Sequence, residues 1–188
     1  MEPRATEVTY RFVRGTRHFV QPKQWASMRK AQELERRTGR RIVHFERGDF
    51  AGPEFVCPRH IEEAGIEAIR EGLTRYVPGP GLPELREAVA QEMTGRGRPT
   101  TPDEVIINLG AKFGLTTTIL TFVEEGDEVI FPNPGYPPDE VWIRFAGGVP
   151  VYAPLTVPDF QFDVEALREA ITPRTKLLII NTPQRPSG

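Results

Sequence analysis

The chain has 188 residues, 38% of them hydrophobic, and a formal net charge of -2, enough to bury one sizeable core and to read as a soluble globular protein of one domain or a little more. No apolar run approaches the roughly 18 to 20 residues of a membrane span, and Met1 to Tyr10 lacks the apolar stretch of a signal peptide, so the cytoplasm is the expected compartment. Cys57 is the lone cysteine; it excludes an internal disulfide, a zinc cluster and a CxxC site, and it is expected to be buried or half-buried.

Charge is unevenly spread: residues 1–50 carry 12 Lys/Arg against 6 Asp/Glu, the remainder 12 against 20. The first predicted element is a helix over 22–37, with Trp25, Met28 and Ala31 at helical spacing and a stop near Gly39. Arg36, Arg37, Arg40 and Arg41 sit at its end, where cations complement the helix dipole; a solvated helix end accounts for them better than a nucleic-acid surface. A short strand is expected at 41–46, then a Gly/Pro/Asp-rich loop over 48–58. Ile61, Ala64, Gly65, Ala68 and Ile69 form one apolar face of a helix over 59–71. After the turn-rich stretch 77–81, Leu82, Leu85, Val89 and Met93 repeat that face, with Pro83 suited to a first helical turn.

From Pro102 onward the pattern becomes a βαβ rhythm. Strands are expected at 104–109, 128–131, 150–153 and 176–181, all in one sheet, and helices at 111–123, 137–146 and 164–171. The runs 105–109 and 177–180 hardly alternate, as strands covered on both faces should not. The fold class is therefore α/β, a mostly parallel sheet with helices on both faces. Nothing after the last strand covers it, and the chain reads as cut off there.

Ligands of open α/β sheets bind beyond the carboxyl ends of the strands, which directs attention to Leu109-Gly110, Phe131 to Tyr136 and Asn181 to Gly188. Asn108-Leu109-Gly110-Ala111-Lys112 joins a strand to a helix, and a glycine there lets free N–H groups meet an anion; an ordinary tight turn, with Lys112 a solvated helix residue, explains the same letters. In Asn133-Pro134-Gly135-Tyr136-Pro137-Pro138, Tyr136 either stacks on a planar ligand or simply packs. Tyr76, in the loop between two helices, is open to a packing, surface or binding role.

These pieces occur together and in order. The segment Arg75-Tyr76-Val77-Pro78-Gly79-Pro80-Gly81-Leu82-Pro83-Glu84-Leu85-Arg86, then Glu124-Glu125-Gly126-Asp127-Glu128-Val129-Ile130 with its P-x-Y turn, Phe145-Ala146-Gly147-Gly148, and finally Thr172-Pro173-Arg174-Thr175-Lys176 leading to "NTPxxPSG" resemble the class I/II aminotransferases, pyridoxal-phosphate (PLP) enzymes of fold type I. The likeness runs from about residue 20 to 188. It implies that 1–56 form an amino-terminal arm and part of a small α+β domain, and 57–188 the first half of the large PLP-binding domain.

The resemblance also implies roles. The N–H groups of Gly110, Ala111 and Lys112 would hold the cofactor phosphate, Tyr136 would stack on the pyridine ring, and Tyr76 would reach the phosphate of a neighbouring subunit in a homodimer. Where the family has an asparagine bonded to the cofactor's phenolic oxygen, this chain has Arg185, which donates but adds charge and length. Gly48 or Gly52 takes the place of the family's glycine near the substrate carboxylate. Cis bonds are implied at Asn133-Pro134 and Arg185-Pro186. The family's Schiff-base lysine, its pyridine-nitrogen aspartate and its carboxylate-binding arginine all lie beyond the position of Gly188, and Lys23, Lys30, Lys112 and Lys176 match none of them. The implied reaction carries an amino group between an amino acid and a 2-oxo acid, with this segment alone inactive. A PLP-dependent lyase and a non-catalytic degenerate domain stand as alternatives.

Overall fold

The computed structural model describes residues 11–19, 23–44 and 55–184. It divides into two compact units, Gln21–Asn108 and a second made of Met1–Val20 with Leu109–Gly188.

The first unit is helical. Helix α1 spans Lys23–Thr38; Gly39, at φ 66°, ends it, its N–H donating to Glu35 O at 2.8 Å, a left-handed C-terminal stop of the expected kind. Helix α2 is Arg59–Arg70 and helix α3 is Pro83–Gly95, with proline in its first turn. All three follow the predicted positions. Residues 41–44 are in no strand; 45 and 46, the rest of that expected strand, lie outside the described residues. Cys57 is exposed, contrary to expectation, because it precedes a helix in which no residue is buried.

The expected strand at 104–109 also fails to form. Pro102–Glu104 is a 3-10 turn; Val105 after it is extended, and residues 105–108 are in no strand, with no strand partner among the described residues. Their backbone groups are satisfied otherwise. Arg86 of α3 donates to Val105 O (3.0 Å) and Pro102 O (2.5 Å), and Ile107 N–H donates to Pro80 O at 2.8 Å. Gly81 permits this approach: at φ 112°, a Cβ there would stand 2.5 Å from Ile107 Cγ1. Val105 is buried, but Ile106 is 68% and Leu109 93% exposed, so this run is not covered on both faces as expected; pairing in a ladder depends on a neighbour that letters do not name.

The second unit carries the βαβ rhythm. Helix α4 is Ala111–Phe122, strand β1 Glu128–Asn133, helix α5 Pro137–Phe145, strand β2 Val149–Pro154, helix α6 Val164–Ala170 and strand β3 Thr175–Leu178. Both β2 and β3 pair parallel with β1, giving the order β2-β1-β3. The sheet thus has three of the four expected strands. Asp163 caps α6 by accepting from Glu165 N at 3.0 Å and Ala166 N at 3.1 Å.

The core sits around β1. Val129 and Phe131 join Ile119 and Val123 from the α4 end and Ile143 of α5 in one cluster, while Ile130, on the alternate face, is also fully buried. Burial on both faces explains why this strand does not alternate. Each such side chain contributes about 1.5 to 3 kcal/mol relative to exposure. The threonines of α4 do not disturb it: Thr116, Thr117, Thr118 and Thr121 return their hydroxyls to carbonyls four residues back.

Two further contacts fix the unit. Phe19 stacks edge-on against Trp142 (5.0 Å) and Phe145 (5.4 Å), tying the amino-terminal segment to α5. At the start of β1, Glu128 accepts from Thr172 Oγ1 (2.6 Å) and from Arg174; the Thr172 hydroxyl first, then Arg174, holds its carboxyl below the usual range. That network clamps β3 beside β1. The bond Asn133-Pro134 is cis, as are Val157-Pro158 and Thr182-Pro183; Arg185-Pro186 lies outside the described residues.

Candidate functional site

In the order β2-β1-β3 the chain leaves β1 toward one neighbour and returns on its other side, so the crevice at the carboxyl ends of β1 and β3 is where a ligand belongs. A cleft of about 610 Å³ opens there. Helix α4 lines it with Ala111, Lys112, Leu115 and Thr118, the start of α5 with Tyr136 and Asp139, and the chain leaving β3 with Ile179, Ile180 and Asn181.

Its donor end is the start of α4. The first N–H groups of a helix have no acceptor within it and sit at the positive pole of the dipole. Here the N-cap is Gly110, which brings no side-chain cap and adopts φ 79°, ψ 159°. A Cβ at Gly110 would point into open space, with nothing within 4 Å; glycine is required by the backbone conformation and leaves the approach to the amides clear. No acidic residue occupies the first turn. The arrangement can hold an anion.

Its acceptor side is Asp139. Only 2% of the residue is exposed, and Oδ1 finds no hydrogen-bond partner among the described residues. Burial pushes its carboxyl up to about 6. In the chain leaving β3, Gln184 is 8% exposed and donates through Nε2 to Pro134 O at 2.8 Å, pinning that chain to the turn after β1, while its Oε1 finds no partner among the described residues.

Of the residues singled out from sequence, Ala111, Lys112 and Tyr136 meet in this cleft, with Gly110 at the cap of the same helix. Tyr76 belongs to the other unit, where its ring is fully exposed at 107%. Gly48, Gly52 and Arg185 lie outside the described residues. Asn181 and Gln184 fall in the strand-end segment 181–188 that the sequence pointed to, without a role of their own, and Asp139 was missed. Asp139 reads as an ordinary first-turn acid at a helix start, and only its burial distinguishes it.

Residues 40–188 match the profile of Aminotransferase class I and II. The chain belongs to the class I and II aminotransferases. Among members of this family, it is 41% identical over 161 residues to an aspartate aminotransferase of Geobacillus stearothermophilus, an alignment covering 85% of this chain and 40% of that protein. It is also 41% identical over 162 residues to an aspartate/prephenate aminotransferase of Thermus thermophilus, covering 85% and 41%. An alanine aminotransferase from Pyrococcus furiosus superposes with a TM-score of 0.87 at 32% identity, over 94% of this chain and 45% of that one. The aspartate aminotransferase from Thermus thermophilus with maleate gives 0.84 at 37%, over 95% and 46%. This aminotransferase chain thus spans about 40% of the length of the curated relatives it matches, and its fold is that of the corresponding part of theirs. No helix among the described residues is long and apolar enough to cross a membrane.

Proposed function

We propose that the protein is a PLP-dependent aminotransferase that moves an amino group from an amino acid to a 2-oxo acid and acts as a cytoplasmic homodimer. One observation carries the reading: a single cleft at the carboxyl edge of the parallel sheet joins the uncapped start of α4 to Tyr136. The residues fit the cofactor, because the start of α4 presents amides with no side-chain cap and no acid in the first turn, and the cleft holds the Tyr136 ring beside an acceptor, Asp139, that lacks a donor among the described residues.

On this reading the amides of Gly110, Ala111 and Lys112 bind the phosphate, with the helix dipole adding to their pull on a dianion. Tyr136 stacks on the ring. Arg185 donates to the phenolic oxygen, Tyr76 reaches the phosphate of the second subunit, and Gly48 or Gly52 lies near the substrate carboxylate. PLP, when bound, supplies the electron sink that the side chains lack. Residues 1–56 serve as the arm and part of the small domain, and 57–188 as the first half of the cofactor domain. The lysine that holds the cofactor belongs to chain beyond Gly188.

The test loads the intact protein with PLP, reduces it with borohydride and maps the labelled lysine. One stoichiometric adduct, on none of Lys23, Lys30, Lys112 and Lys176, together with amino transfer to a 2-oxo acid, is the expected result. An adduct on Lys112 or Lys176 with turnover, or no adduct at all, overturns it. Keto-acid release with no amino acceptor present would mark a lyase instead.

A further inference from the structure

Asp139 is the third residue of α5, with Tyr136 as the N-cap. A carboxylate with 2% exposure and an orphan oxygen is costly, and folded chains keep such groups where something else completes them. Desolvation raises its proton affinity. The cleft it lines is therefore bipolar: anion-seeking amides and Lys112 at the start of α4, and an acceptor without a donor among the described residues at the start of α5.

A ligand that fits both poles carries a phosphate and a cationic nitrogen on one planar frame. We propose that Asp139 is a positioning residue for the cofactor ring, its carboxylate serving as a counter-charge to the protonated ring nitrogen, in addition to the aspartate implied further along the chain. The inference rests on the PLP reading above and deepens it. It assigns to this half of the site a share in keeping the ring protonated, which phosphate contacts and stacking do not supply. A charge in so desolvated a place acts more strongly than it would in water.

The test uses the intact protein and pyridoxine 5′-phosphate, which has no aldehyde and so reports non-covalent binding. Its companions are an analogue with the ring nitrogen replaced by C–H, and inorganic phosphate. Asp139→Asn, which keeps shape and removes charge, is expected to weaken pyridoxine 5′-phosphate by about tenfold or more while changing the nitrogen-free analogue by less than about twofold. Phosphate affinity should stay at the wild-type value. Equal weakening of both ring ligands, no weakening of either, or loss of phosphate binding as well would each overturn the proposal and leave Asp139 a structural residue. Those outcomes leave the PLP reading standing, whereas a wild-type protein that binds neither pyridoxine 5′-phosphate nor phosphate overturns that reading and this proposal together.

Discussion

Strand β1 and helix α2 carry comparable apolar patterns and end in opposite states. In β1, Val129 and Ile130 are fully buried and Phe131 nearly so, because α4, α5 and two parallel neighbours surround them. In α2 the apolar face is as regular in sequence, yet Ile61 stays 54% exposed and Ile69 67%. The difference teaches that periodicity specifies an element and its orientation, while stability comes from whatever covers the face. Around β1 the cover comes from elements on both sides of it in the chain, α4 before and α5, β2 and β3 after; for α2 it is not found among the described residues.

The largest expected effect is at the covered face. Ile143→Ala, at a site with no exposure, should destabilise the chain by about 2 to 5 kcal/mol in urea unfolding. A loss under about 1 kcal/mol would mean that the β1 layer is loosely packed. Arg86→Met comes next. It leaves the carbonyls of Val105 and Pro102 without their donor and should cost about 1 to 3 kcal/mol. An unchanged midpoint would show that the segment 105–108 is held by something else.

Asp139 sharpens the comparison through pH. Its folded carboxyl holds a proton up to about 6, while the unfolded one, ordinarily at 3.8, releases it. Between those values the native state binds more protons, so stability falls as pH rises from about 4 to 6 and stays lower above. Asp139→Asn should abolish that slope and stabilise the protein at neutral pH by about 1 to 3 kcal/mol. A variant with the same pH profile as the wild type would contradict the burial argument. The smallest effect belongs to α2: Ile69→Ala should shift stability by no more than about 0.5 kcal/mol. A loss near that of Ile143→Ala would show that the face is covered after all.

Six helices and three strands were legible from periodicity and punctuation, since Pro83, Gly39 and Gly110 mark ends by local sterics alone. The strand expected at 104–109 was not, because Arg86 and Pro80 compete for its backbone groups from elsewhere in the chain. In the site, Gly110, Lys112 and Tyr136 were visible as strand-end residues. Asp139 was not, because its burial is a tertiary fact: an acid in a first helical turn looks the same whether solvated or 2% exposed. Cys57 errs the opposite way, a residue type usually buried that lies exposed.

The central claim is that the start of α4 and Tyr136 hold one cofactor. A crystal structure of the intact protein grown with PLP tests it most directly. The phosphate should lie within about 2.7 to 3.2 Å of amides among Gly110, Ala111 and Lys112, with the ring stacked on Tyr136. A phosphate bound elsewhere, or a ring away from Tyr136, would contradict it.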